Sequence, residues 1–279
     1  MLIRVEHETR YRFSHPVFLE PQLVRLAPRA DSGQAPESFT LSMTPAPSGQ
    51  CEITDQSGNP AVWAWFDGFT REFTLISRAV VRTLRTNPFD YLLQPEAISI
   101  PLELRPFERE ALAPFLLPDE SRAVRDLTRN LALQAENDTV SFLSGLNDWI
   151  YRNLEITSRA EAGVQSPSET LTLGSGACRD AAVLFMAACR LAGIPARYVS
   201  GYQIGDPAQS GRELHAYPEA YLPGAGWRGF DPTLGLCVTD GHVALCSAHR
   251  PELTAPVTGT FRGNAEATLE HRIHLDVLE

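Results

Sequence analysis

The sequence predicts an α+β protein: an all-β, sandwich-like domain over residues 1–93, a Pro-rich join over 94–118, and a mixed unit of helices and antiparallel strands over 119–279. Three observations carry this prediction. The first third of the chain breaks into short alternating apolar and polar stretches separated by Pro, Gly and Asn turns. Two runs with apolar residues at three- and four-residue steps follow, and then a third run, Ala181 to Ala192, that is apolar almost all round. Beyond it the period drops to two, in stretches joined by short turns, which is the pattern of a helix followed by an antiparallel meander.

Taken in order, Leu2 to Phe13 alternates loosely through Ile3, Val5, Thr9, Tyr11 and Phe13. Phe39 to Met43 alternates again. Cys51 to Asp55 and Ala61 to Phe66 flank Ser57-Gly58-Asn59-Pro60, a hairpin signal. Glu72 to Thr83 is the longest strand signal. Tyr11, His15 and Trp63 are expected to be core and turn residues here, since no site pattern surrounds them. Pro95, Pro101, Pro106 and Pro114 mark the join. Asp119-Glu120-Ser121 caps a helix over 122–134, and Asn137-Asp138-Thr139 caps a second over 140–154. Ala196 to Tyr202, Leu214 to Leu222 and Trp227 to Thr233 form the meander, with a polar loop over 206–212 and a tight turn at Pro223-Gly224-Ala225-Gly226. Pro218 lacks a ladder donor, so the second of these strands is expected at a sheet edge or with a bulge. Val243 to Leu245, Val257 to Phe261 and Thr268 to Leu278 continue the unit as further strands.

Composition narrows the functions. The chain has 279 residues, 43% of them hydrophobic, enough to bury a sizeable core. Net charge is −10 and every one of the 24 basic residues is Arg. An acidic chain without a basic run excludes nucleic acid and an anionic membrane surface as expected partners. No apolar run approaches the roughly 18–20 residues of a membrane span. The N-terminus alternates and is charged, which is the pattern of a strand and not of a signal peptide. Five scattered cysteines suit free thiols in a reducing compartment, so the expected location is the cytoplasm.

The chemistry concentrates at Gly174-Ser175-Gly176-Ala177-Cys178-Arg179-Asp180. A Gly-Ser turn precedes the buried run, which stops at Gly193 with Pro195 beyond it. Cys178 therefore sits at a helix N-terminus, where partial positive charge and free N–H groups favour a thiolate and can face a developing oxyanion. Asp180 suits the helix dipole there. His215 begins one strand and Asp231 ends the next. In an antiparallel pair those positions are neighbours, so a nucleophile, a base and an orienting acid are brought to one place.

Gly176-Ala177-Cys178-Arg179-Asp180, Gly193-Ile194-Pro195-Ala196-Arg197-Tyr198, His215-Ala216 and Phe230-Asp231-Pro232-Thr233, in that order, closely resemble the bacterial transglutaminase-like superfamily. The resemblance implies a papain-like core with Cys178 as nucleophile, His215 as base and Asp231 as its orienting acid, behind an N-terminal β domain. Gly241-His242 resembles a Gly-His stretch of such cores and places His242 near the cleft. Tyr217 stands where the family usually has Trp. Trp149, Tyr217 and His242 are thus candidates for the substrate and oxyanion side, Trp149 being either that or a core anchor.

The implied activity is cysteine-dependent acyl transfer or hydrolysis at an amide or peptide bond through a thioester, protease- or amidase-like when water resolves it. The alternatives are a protein-glutamine transamidase, with an amine as acceptor, and a non-catalytic peptide-binding module. The expected partner is a peptide or protein substrate; oligomeric state is open. No cofactor is needed for this chemistry. Cys237, His242, Cys246 and His249 are zinc ligand types, but their spacing is not that of the usual fingers.

Overall fold

A computed structural model describes residues 1–119, 121–159, 161–205 and 213–279. The N-terminal region supplies β1 (Leu2–Leu19), β2 (Gln22–Val24), β3 (Gln34–Thr44), β4 (Gly49–Thr54), β5 (Pro60–Trp65) and β6 (Phe69–Thr83). The helices are α1 (Pro106–Leu112), α2 (Arg122–Gln134), α3 (Thr139–Asn153), α4 (Pro167–Leu173) and α5 (Cys178–Leu191), with the short strands β7 (Glu155–Ile156) and β8 (Ser175–Gly176) pairing in parallel just before α5. The chain then forms β9 (Ala196–Gln203), β10 (His215–Leu222), β11 (Gly226–Asp231), β12 (Leu236–Cys237) and β13 (His242–Ala248). It finishes with β14 (Val257–Thr258), β15 (Phe261–Arg262) and β16 (Ala267–Val277). The α+β class is as the sequence predicts, and the polar loop expected over 206–212 and Glu120 of the α2 cap lie outside the described residues.

The β domain is a sandwich. One sheet runs β15-β1-β6-β3, with β16 also on β1, and the other runs β14-β2-β5-β4. Alternation places Ile3, Val5, Phe73, Leu75, Ala79 and Val81 in the core between them. The third sheet, β12-β11-β10-β9-β13, takes α5 on one face. Its other face closes the sandwich: Tyr202, Val243, Leu245 and Cys246 belong to the same apolar cluster as Ile3 and Val81.

This shared core revises the boundaries. Strands β14, β15 and β16, expected to continue the second unit, pair instead with β2 and β1 of the first. Alternation says which residues of a strand face inward, but not which strand lies beside it. The Pro-rich stretch is also not a free join, because Ala97, Ile100, Leu102, Leu104 and Leu112 are buried in the helical core. Two polar side chains fasten the units by completing backbone ladders. Gln34 bonds both the N–H and the C=O of Ala244, and Asn59 does the same at Ser247. Ala244 and Ser247 are available because β13 is the edge strand of its sheet.

Pro218 behaves differently from expectation. Strand β10 is central, paired to β9 along its length without a bulge. The missing N–H acts on the other side, where the β11 ladder stops at Glu219–Gly229. Beyond that point β10 and β11 are no longer laddered, and His215 and Asp231 lie on these unpaired ends.

Candidate active site

Cys178 is the first residue of α5, where helix geometry leaves its own N–H and that of Arg179 without an intrahelical acceptor. The helix tip is held from behind. Asp180, fully buried, accepts from the N–H groups of Ala177 and Gln165, both at 2.8 Å, and from Arg159 at 2.9 and 3.2 Å. Burial pushes its carboxyl up, but the Arg159 and backbone donors outweigh this and hold it below the usual carboxylate range. Arg179 ties the same loop down through the carbonyls of Arg159, Glu161 and Gly163. Phe185 on α5 stacks on Phe230, the residue before Asp231, at 5.2 Å, so helix and sheet are locked together one residue from the acid.

His215 and Asp231 meet as their strand positions predict, His215 Nε2 lying 2.7 Å from Asp231 Oδ2. Asp231 is fully buried and all its acceptor positions are engaged. Oδ1 takes the N–H and hydroxyl of Thr233, and Oδ2 takes His215 and His242, the latter at 2.9 Å. Burial works against the charge of Asp231, but the two imidazoles prevail and keep its carboxyl well below the ordinary range. For His215, burial lowers the pKa, yet the hydrogen bonds with Asp231 and with the Cys178 sulfur carry it up to about 10. Since Nε2 is taken by Asp231, Nδ1 is the nitrogen left for Cys178. The sulfur is partly exposed and His215 half-buried, so the pair is reachable from solvent while the acid is not.

The remaining candidates fall elsewhere. Trp149 packs half-buried against the helical core, and among the described residues no hydrogen bond or ring contact joins it to Cys178, His215 or Asp231. Tyr217 and His242 are both buried, and His242 lies against Asp231. Tyr217 stands edge-on to the His242 ring at 5.4 Å. Period-two alternation puts Tyr217 on the His215 face, but that face turns into the domain interface. The link from His242 to Asp231 and the role of Arg159 were not legible in the sequence. That of Thr233 was missed as well, although a Thr two residues after an Asp is a local signal that could have found it.

The zinc-type set Cys237, His242, Cys246 and His249 does not converge: Cys246 donates to the Thr254 carbonyl and the His249 ring stands edge-on to Phe115. Among the described residues, His215, Asp231 and His242 do bring ligand atoms within 4.8 Å of one another. The 2.7 and 2.9 Å separations are hydrogen-bond lengths, with a proton between each pair, so a cation would have to displace both.

Residues 125–232 match the transglutaminase-like superfamily core, and residues 3–82 match the bacterial transglutaminase-like N-terminal region. The chain belongs to the transglutaminase-like superfamily. The transglutaminase-like core thus contains Cys178, His215 and Asp231, while His242 lies beyond the matched stretch. An uncharacterised protein of Mycobacterium tuberculosis is 27% identical over 94% of this chain and 88% of its own length. A second, from Mycobacterium leprae, is 24% identical over 96% of each. The fold is that of a structure described as a proposed cysteine protease from Cytophaga hutchinsonii, with a TM-score of 0.75 and 24% identity over all of this chain and 91% of that one. Among the described residues, no helix is long and apolar enough to cross a membrane.

Proposed function

We propose that this transglutaminase-like protein is a cysteine-dependent hydrolase of amide or peptide bonds. The observation that carries the reading is His215 set between Asp231 at 2.7 Å and the Cys178 sulfur, with its ring held in the protonated form. In this mechanism the Cys178 sulfur attacks the substrate carbonyl carbon, forming a C–S bond as the carbonyl oxygen takes up charge opposite the Cys178 N–H. The C–N bond then breaks, and His215 gives its proton to the departing amine. Water attacks the thioester, His215 takes a proton from it, and Cys178 leaves as thiolate with the acid product released. Asp231 stabilises the imidazolium at each stage without itself becoming protonated. Water as the acceptor is supported by the cysteine-protease description of the Cytophaga structure, whose fold this chain shares.

The test uses a panel of peptide amides, including glutamine-containing ones, incubated with wild type and Cys178→Ala, with and without a primary amine. Expected are free acid products and an acyl-enzyme mass on Cys178, both lost in Cys178→Ala. Amine incorporation in preference to free acid would replace hydrolysis with transamidation. Binding without turnover, and no acyl adduct, would reject the catalytic reading.

A further inference from the structure

Behind the triad, where the β domain meets the back of the core sheet, lies a cavity of about 290 Å³ that the mechanism does not use. Arg29, Arg85 and Arg197 line it together with Tyr217, Thr239 and His242. The Arg29 side chain is only 10% exposed. Its Nη2 serves two carboxylates, Asp31 at 2.9 Å and Glu219 at 3.1 Å, while among the described residues its Nε and Nη1 have no partner. Glu219 is already matched by Arg197 at 2.6 Å, and the Arg197 guanidinium lies over the Trp227 ring at 4.2 Å. Three guanidiniums therefore face two carboxylates, an excess of positive charge in a partly closed space.

His242 adds a further position. It is 5% exposed, and the Nε2 that meets Asp231 leaves Nδ1 buried without a partner among the described residues. A buried guanidinium with two idle nitrogens costs free energy unless an acceptor arrives, and the His242 ring that lines the same space has a nitrogen without a partner among the described residues. From these groups we infer that the cavity is a binding site for a small oxyanion, a carboxylate or a phosphate, held by Arg29 and His242 with Arg85 beside it. The volume suits inorganic phosphate or a short organic acid and is too small for a peptide.

The position of His242 gives the site a consequence. His242 lines the cavity, and its Nε2 meets Asp231. An anion seated against this ring alters the hydrogen bond from His242 to Asp231, and Asp231 in turn holds His215 less firmly. Occupancy of the cavity is thereby felt at the triad without any contact with Cys178.

The whole protein is titrated with inorganic phosphate and, separately, with succinate, against chloride at matched ionic strength. Calorimetry and the imidazole ¹⁵N resonances of His242, assigned by loss in His242→Gln, are the readouts. Expected is one saturable site for at least one of the two oxyanions, with the His242 signals moving at the same midpoint. Arg85→Ala should weaken binding by about fivefold or more, and Arg29→Gln should abolish it if that variant folds. Saturation by phosphate alone assigns an inorganic ligand and by succinate alone an organic acid, and either supports the site. No saturation through the millimolar range overturns it. So does binding that leaves the His242 signals still, or is equal in Arg85→Ala and wild type.

Discussion

His242 donates through Nε2 to Asp231 Oδ2 at 2.9 Å, on the same oxygen that receives His215. An ionised carboxylate has room for both donors, and the second imidazole keeps that oxygen aimed across the gap between β10 and β11. Removing it frees the carboxylate to rotate about its side chain. His242→Ala is expected to lower the acylation rate of Cys178 about 10–100-fold, the value of one charge-assisted hydrogen bond. The fall should appear mainly in kcat, measured with a peptide amide, because His242 is buried against Asp231. An unchanged kcat would show that Thr233 alone holds Asp231.

The raised pKa of His215 sets the alkaline limit. The protonated ring persists until the pH approaches about 10, and above that it can neither protonate a leaving amine nor balance a thiolate. Activity is expected to fall through that region. In Asp231→Asn the strongest raising influence is gone and burial is left opposing the charge, so the limb should move down by a unit or more. The pH dependence of the His215 imidazole ¹⁵N resonances in wild type and Asp231→Asn checks this without a substrate. By linkage the same group stabilises the fold below its unfolded value near 6.5, and that contribution is lost as the pH rises through about 10.

Asp180 is predicted to matter for the fold before it matters for rate. Asp180→Ala leaves the Ala177 and Gln165 N–H groups and Arg159 without their acceptor, at a cost of about 3 kcal/mol by denaturant unfolding. Its lowered carboxyl makes this stabilisation present at neutral pH and lost as the pH falls below the ordinary carboxylate range. A variant with wild-type stability would count against the loop-clamp role.

Gly201 is expected to be intolerant. A Cβ there would clash with the Val243 carbonyl oxygen, pushing β13 from β9 beside His242. Gly201→Ala should cost about 1–3 kcal/mol and, by displacing His242, slow Cys178 acylation more than that loss of stability explains. Thermal unfolding and single-turnover acylation measured together separate the two effects.

Added Zn²⁺ should inhibit reversibly by displacing the protons that join His215, Asp231 and His242. Chelation should restore activity and should leave an untreated sample unchanged. Loss of activity on chelation alone would make the site a metal centre in place of a thiol one.

How much of this was legible can be judged residue by residue. Helices α2 and α3 stand where their three- and four-residue spacing puts them, since local periodicity reports a buried face directly. Helix α4 was missed in the sequence, although Ser166 and Glu169 form a capping box around Pro167 that could have signalled its start. The Cys178, His215 and Asp231 positions followed from a helix tip and a strand pair, both short-range features. Strand β16 was legible as a strand but not as a partner of β1, because its neighbour lies some 260 residues away in the chain.

The sequence by itself determined the α+β class, the helix that presents Cys178, and the meander that carries His215 to Asp231. Each rests on periodicity, turn chemistry or the adjacency of consecutive strands. Only the tertiary structure decided that the last strands return to the first sheet and that Tyr217 and His242 face inward. It likewise decided that Arg29 meets Glu219 across the domain interface. Those relations depend on which surfaces bury each other over long sequence separations, and the apolar pattern of a single strand is satisfied by several partners.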